Sequence, residues 1–440
     1  MKSLSSLLAG KFTNAVIKEF NLGSGSTWPG HVALKVNPQF LKDFLKNKKL
    51  NIVLVVGTNG KTTTSKLLRH ILEENGHRVF QNEEGANLVN GITTSIIRNT
   101  NKLGRISYDT AIFEVDENNL PHILKQITPT AIVFLNLFRD QLDRYGEVHT
   151  IAQKWKKALV TLPKSTTIIL NADDPEIRYL EKNIEGKTYY FSIPDTYFSK
   201  KEITHDTDST HCPECGTKLR FSKIAYSHLG KYTCTKCGFT NETIKEKIDT
   251  FVPTVLSGTY NIYNLQAAIK TAQEIFDLPI EKIHTSLQTF TPAFGRQELI
   301  EYKKRNILML LSKNPAGFNQ SLSVIADKDK KSTVLLALND RIPDGRDVSW
   351  IWDVDTDELI TNASRIIITG DRAYDMGLRI KYSFADQSSK FTDAVIIKEK
   401  TNDAINELIK NTKDGETVYI LPTYSAMLEL RKILTGKEIL

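Results

Sequence analysis

Short apolar runs alternate with longer amphipathic stretches along most of this chain. Runs of strand length fall at 51–56, 111–115, 131–135 and 167–170, with helix-length segments between them. That alternation predicts a parallel sheet flanked by helices. A second set of strands is expected near 307–311, 333–338, 365–369, 394–398 and 417–421, with a boundary near Arg296. Two segments break the rhythm. Leu4, Leu7, Leu8, Phe12, Val16 and Phe20 share one helical face, which predicts an N-terminal helix packed on the body. Lys2, Lys11 and Lys18 leave a helix lying on a membrane surface as the alternative. The stretch Asp206 to Asn241 is polar and looks inserted. The expected fold class is α/β, divided into 1–48, packing on a central domain; 49–296, that domain, with 206–241 inserted; and 297–440, a C-terminal Rossmann-like α/β domain.

The first strand leads into Gly57-Thr58-Asn59-Gly60-Lys61-Thr62-Thr63. Leu67, Leu68, Ile71 and Leu72 then repeat at helical spacing, and Gly76 is a natural stop. A glycine-rich turn between strand and helix aims backbone N–H groups and the helix dipole at an anion. Lys61 would neutralise a β- or γ-phosphate, and the Thr62 hydroxyl would hold Mg²⁺. Val55 stands where the common phosphate loop has its first glycine, so the strand–turn–helix setting carries the reading. Carboxylates follow at the next strand ends, where open parallel sheets collect ligands. They are Glu114, Asp116 and Glu117, then the polar run Asn136 to Tyr145, then Asn171-Ala172-Asp173-Asp174. Asn261 and Asn264, one turn apart, could meet an adenine edge, with capping the plainer role for Asn261.

All four cysteines of the chain form two Cys-x-x-Cys pairs, Cys212/Cys215 and Cys234/Cys237. This spacing predicts a zinc ribbon with four thiolates on one tetrahedral ion. With four sulfur ligands no coordination position is open, so its role would be structural. A redox role is the rival. Metal-bound thiolates suit a reducing cytoplasm.

The chain has 440 residues, 40% of them apolar, and a formal net charge of +7. A mildly basic balance favours anionic partners without proving nucleic-acid binding. No apolar run is long enough to span a bilayer, and Lys11 interrupts any signal-peptide core.

Thr58-Asn59-Gly60-Lys61-Thr62, Glu114, Asp140-x-x-Asp143-Arg144-Tyr145, Asn171-Ala172-Asp173-Asp174, Asn261-x-x-Asn264 and Gly295-Arg296 occur in the order seen in the Mur ligases. From about 50 to 300 the chain resembles that family. The four-cysteine insert, Lys313-Asn314-Pro315-Ala316-Gly317 and Asp344-Gly345-Arg346-Asp347-x-Ser349-Trp350 are similar to the branch that amidates the peptidoglycan stem. The resemblance implies ATP-dependent activation of the α-carboxyl of D-glutamate in lipid II as an acyl phosphate. Ammonia would come from a class I glutaminase partner of the GatD type. Residues 49–296 would be the ATP-binding domain and 297–440 the domain that docks the glutaminase. By the same resemblance Lys61 and Lys313 contact phosphates, Thr62 and Glu114 hold Mg²⁺, and Asn264 meets the adenine. Arg296 would serve the ribose-phosphate region, and Asp347 would complete the partner's Cys-His pair. A loop or capping carboxylate is the plain reading of Asp347.

Some positions depart from the family pattern. Gln141 stands where amino-acid-adding relatives use a metal-binding His, and Lys156 and Lys157 lie where they carry a carbamylated lysine. Leu311-Ser312-Lys313 replaces the Asp-Ser-Lys of some relatives. Two other functions compete. One is a ligase that adds an amino acid, of the folylpolyglutamate synthase or muramyl-ligase type. The other is a zinc-ribbon ATPase that binds nucleic acid, disfavoured because no dense Lys/Arg run interleaves with aromatics. The expectation is therefore a cytoplasmic enzyme without nucleic-acid partners and with at most peripheral membrane contact.

Overall fold

Among the described residues, three helices precede the first strand: α1 (Lys2–Glu19), α2 (Trp28–Val36) and α3 (Phe40–Leu45). In this computed structural model, residues 2–20, 25–83, 85–139, 148–182, 184–198, 207–244, 248–251, 258–291, 296–326, 331–384 and 388–436 are described. The first sheet contains β1 (Asn51–Val56), β2 (Val79–Gln81), β3 (Thr110–Val115), β4 (Ala131–Phe134), β5 (Thr167–Asn171) and β6 (Thr188–Phe191). Its order is β2-β3-β1-β4-β5-β6, parallel throughout. Successive β1 side chains face opposite ways, yet both faces are covered. Val53 and Val55 join one core, and Ile52, Leu54 and Val56 join the other. That double burial is why β1 reads as a continuous apolar run.

Helix α4 (Lys61–Glu74) follows β1 and buries Leu67, Leu68, Ile71 and Leu72. Further along come α5 (Val89–Arg98), α6 (Val148–Leu159) and α7 (Thr259–Phe276). Between the last two, β7 (Arg220–Tyr226) and β8 (Leu229–Thr233) form an antiparallel hairpin. The second sheet contains β9 (Arg296–Tyr302), β10 (Arg305–Leu310), β11 (Ser332–Ala337), β12 (Ala363–Thr369), β13 (Val395–Ile397) and β14 (Thr417–Pro422). Its order is β13-β12-β11-β14-β10-β9, parallel except for the β9–β10 hairpin. That hairpin turns through Lys303 and Lys304, both at positive φ.

The short strands β2 and β6 and the charged strand β9 were absent from the apolar pattern. β9 is the antiparallel partner at the sheet edge, where one face suffices and charge is tolerated.

The N-terminal helix forms, but it buries a different face. Ser6, Leu7, Gly10 and Ile17 are buried, whereas Leu4, Leu8, Phe12 and Phe20 are 50%, 48%, 72% and 69% exposed. Close approach decides the face. A Cβ at Gly10 would lie 2.5 Å from Ile97 Cδ1 and 3.0 Å from the Pro29 carbonyl. Lys11 Nζ donates to the Ile97 carbonyl at 2.8 Å. Gly10 therefore docks on α2 and α5 with Leu7 and Ile17 buried alongside, and Leu4, Leu8, Phe12 and Phe20 point out.

Candidate active site

The carboxyl ends of the two sheets face one another across a cavity of about 290 Å³. Its floor is the turn after β1. Gly57 and Gly60 have φ of 147° and 90°, values that an L side chain would strain to adopt. Gly60 also has no room for a Cβ, which would lie 1.9 Å from Asn264 Oδ1. Asn136, just past β4, clamps this turn. Its Oδ1 accepts from Asn59 N at 2.9 Å, and its Nδ2 donates to the Asn59 carbonyl at 3.0 Å.

Lys61 opens α4 and turns its ammonium back over the loop. It donates to the carbonyls of Gly57 and Thr58 and lies 3.3 Å from Glu117 Oε2. Thr62 Oγ1 donates to Glu114 Oε2 at 2.8 Å. Glu114, Asp116 and Glu117 are each at most 5% exposed and all line the cavity. The Trp155 indole, fully buried on α6, donates to the Glu117 carbonyl at 2.7 Å and braces this strand end. A hydroxyl and a carboxylate already in contact, with two more carboxylates beside them, are hard oxygen donors suited to Mg²⁺ carrying phosphate. The donor set fits that ion.

Two lobes build the cavity. Lys313 follows β10 and lines it together with Thr58, Asn59, Gly60, Thr62 and Thr63. Asn314 Nδ2 donates to Asn59 Oδ1 at 3.0 Å, tying the second lobe to the glycine-rich turn. The next helix, α8 (Pro315–Ala326), holds that loop through Gly317 N, which donates to Asn314 Oδ1 at 2.8 Å. Asn264 of α7 lines the cavity, and Asn261 stands behind it, 3.2 Å from its Nδ2. Tyr226, Tyr260, Asn87, Gln320 and Tyr424 are also part of the lining. Sequence pattern did not single out these five. They come from distant segments and have no local motif.

Other candidates lie elsewhere. Asn171, Asp173 and Asp174 do not line the cavity. Asp173 is fully buried and accepts from Lys231 Nζ at 2.8 Å, Tyr263 Oη at 2.9 Å and Asn241 Nδ2 at 3.0 Å. Burial pushes its carboxyl up, and Lys231 pulls against that shift. Asp174 accepts from the amides of Glu176 and Ile177. These side chains brace the inserted hairpin against α7. The Lys156 ammonium sits 3.6 Å from the centroid of the Tyr179 ring, and neither it nor Lys157 lines the cavity. Asp140, Gln141, Asp143, Arg144, Tyr145 and Gly295 lie outside the described residues. Arg296 opens β9 in the second sheet, and its side chain is not among the described ones.

Asp347 sits on an exposed loop beyond β11, away from the cavity lining. Its carboxylate accepts from Ser349 N at 2.8 Å. The Ser349 hydroxyl and amide hold its carboxyl below the ordinary range, so it stays ionised. The same loop is pinned by buried Asp344, which accepts from Ser425 N at 2.8 Å in α9 (Tyr424–Thr435).

The four cysteine Sγ atoms lie within 4.8 Å of one another. Backbone turns place each pair alike: Gly216 N donates to the Cys212 carbonyl and Gly238 N to the Cys234 carbonyl. Four convergent thiols and no carboxylate suit a soft tetrahedral ion such as zinc. The hairpin between the pairs carries Tyr226 to the cavity, so the cysteine-bearing segment also shapes the wall there. Elemental analysis is expected to find one zinc per chain. Cys234→Ser should make residues 206–241 sensitive to protease while Lys61 and Glu114 stay in place. Purified protein free of zinc without chelator would count against the assignment.

Comparison with known proteins agrees with this architecture. Residues 55–272 match the Mur ligase middle domain, and residues 311–427 match the MurT ligase C-terminal model. The chain is 35% identical over 389 residues to the lipid II isoglutaminyl synthase (glutamine-hydrolyzing) subunit MurT of Staphylococcus aureus, covering 85% of each chain. It is 31% identical to the MurT subunit of Streptococcus pneumoniae, over 100% of this chain and 98% of that one. Among solved structures, a pseudomurein peptide ligase type C from Methanothermus fervidus superposes with a TM-score of 0.64 at 24% identity. It covers 90% of this chain and 80% of that one. Folylpolyglutamate synthase from Mycobacterium tuberculosis gives 0.60 at 13% identity, over 91% and 95%, and shares the fold alone. The chain belongs to the Mur ligase family, in its MurT branch, and is an ATP-dependent ligase.

Proposed function

We propose that this ligase amidates the α-carboxyl of D-glutamate in the stem peptide of lipid II, with ammonia from a GatD-type glutaminase. The observation that carries the reading is the separation of two chemistries. The cavity holds a phosphate loop, three carboxylates and Lys313, while all four cysteines of the chain are gathered into the ribbon. The chain thus has a place to activate a carboxylate with ATP and no spare thiol to release ammonia from glutamine. A glutamine-hydrolysing cysteine must sit on another subunit.

A carboxylate oxygen is a poor leaving group, and phosphorylation turns it into phosphate. The acyl phosphate then yields to ammonia. In this scheme Lys61 leaves its carbonyl and Glu117 partners to meet the β- and γ-phosphates of ATP. Lys313 approaches the transferred phosphoryl group from the other lobe. Thr62 and Glu114 would hold Mg²⁺, which neutralises phosphate oxygens when bound. Thr58, Asn59, Gly60 and Thr63 supply amides and hydroxyls around the same anion. Asn264 reads the adenine with Asn261 behind it, and Arg296 serves the ribose-phosphate side. The Asn59–Asn314 contact sets the distance between lobes, so positioning and charge neutralisation do most of the work. Asp347, on its exposed loop, faces outward to the glutaminase and orients that subunit's histidine. We assign 49–296 to ATP binding, with the ribbon at 206–241 holding zinc, and 297–440 to phosphoryl transfer and docking.

The test is mass spectrometry of lipid II incubated with the chain, ATP, Mg²⁺ and ammonium. Amidation lowers the mass by about one dalton, because OH is replaced by NH₂. A product that instead gains an amino-acid residue would favour a ligase of the folylpolyglutamate type, and an unchanged substrate would reject both.

A further inference from the structure

The exposed face of α1 has features that its packing does not explain. Leu4, Leu8 and Phe12, at i, i+4 and i+8, form one stripe and are 50%, 48% and 72% exposed. Leu103, 77% exposed, lies in the turn at 101–105. That turn lies beside α1, since a Cβ at Gly104 would be 3.9 Å from Leu7 Cδ2. Scattered apolar residues on a surface are ordinary, but a continuous stripe along a helix marks an interaction site.

The charge around the stripe selects its partner. Residues 1–50 hold eight lysines against Glu19 and Asp43, so +6 of the formal +7 lies in this first segment. Lys2 and Lys18 lie exposed on α1 itself and Lys102 lies near it on the neighbouring turn, while the Lys11 ammonium is held by the Ile97 carbonyl. Burial lowers the Lys11 ammonium from its ordinary value, and the nearby positive charges of Lys102 and Lys18 add to that shift, as a cationic cluster requires. Nucleic acid would use the charge without the stripe, and an apolar protein groove would use the stripe without the charge. An anionic bilayer uses both: lysines meet headgroups and the apolar ridge enters the acyl boundary. No helix among the described residues is long and apolar enough to cross a membrane, so the contact would be interfacial.

We infer that α1 and the 101–105 turn form a docking surface for an anionic lipid bilayer. Its purpose rests on the lipid-linked substrate proposed above: the surface would hold the enzyme where that substrate is anchored.

The experiment uses the full chain and extruded vesicles, without ATP or substrate. Wild type should sediment with phosphatidylglycerol/phosphatidylcholine vesicles, should not sediment with pure phosphatidylcholine, and should be released as salt rises. Leu8→Glu/Phe12→Glu should reduce partitioning by about tenfold or more, since two apolar contacts are replaced by charges that headgroups repel. Both positions are exposed, so the thermal melt should not move. Failure of wild type to bind phosphatidylglycerol vesicles overturns the proposal, as does equal binding by the double variant. A dimer in light scattering that the double variant splits, with no vesicle binding by wild type, would assign the stripe to a second copy of the chain instead. Because no nucleotide or acceptor is present, a failed amidation assay leaves the vesicle result standing, and the converse holds.

Discussion

Lys61→Ala should reduce ATP turnover at least about a hundredfold, the usual cost of removing one charge aimed at a developing transition state. Lys61 is the cation of the glycine-rich turn, and in the structure it is parked 3.3 Å from Glu117 and on two loop carbonyls. In the proposed scheme phosphate oxygens would replace those contacts. The substitution also takes a counter-charge from Glu117, whose side chain is only 5% exposed. Breaking a buried pair from one side can cost about 3–5 kcal/mol. Glu117 borders a cavity that water can enter, so the cost here should be smaller. Lys61→Ala/Glu117→Gln separates the effects. It should recover any lost melting temperature without recovering turnover. Wild-type turnover in Lys61→Ala would remove the nucleotide site from residue 61.

Asp347→Asn should divide two activities in the reconstituted pair. Amidation driven by glutamine should fall sharply, and amidation driven by added ammonium should survive. Under the proposed function, with all four cysteines of this chain clustered together, ammonia would come from a partner. A partner's cysteine needs a histidine to activate it, and the histidine needs an orienting acceptor. Asp347 is exposed, ionised and held by Ser349, a geometry fit for reaching across an interface. Asn keeps its size and its turn with Ser349 N, but it cannot stabilise an imidazolium as a carboxylate does. Equal loss with both nitrogen sources would assign Asp347 to the ligase site or the fold. No loss with either would make it a bystander.

Much of the scaffold is legible in local pattern. β1 shows itself because both of its faces are covered, leaving only apolar side chains in the run. The turn after it shows itself because glycine, lysine and threonine at fixed spacing have one economical use at a strand–helix junction. The two Cys-x-x-Cys pairs show themselves because no other cysteine competes with them. Each signal lies within a few residues of sequence and needs no knowledge of the fold.

What the tertiary structure decided involves segments far apart in sequence. Asn314 meets Asn59 across 255 positions, and only the packing of two sheets end to end brings them together. Asp173 and Asp174 look like strand-end ligands, yet the inserted hairpin covers them and turns them into internal struts. Glu117 is held beside Lys61 by a helix outside the motif, through the Trp155 indole on its carbonyl. The N-terminal helix shows the contrast most directly. Its sequence determined that it is a helix with an apolar face. Whether that face looks inward was settled by Gly10, which lets the backbone lie close to α2 and α5 and leaves Leu8 and Phe12 facing out. Periodicity records which side chains share a face, but only the shape of the neighbouring surface determines which face gives the closest fit.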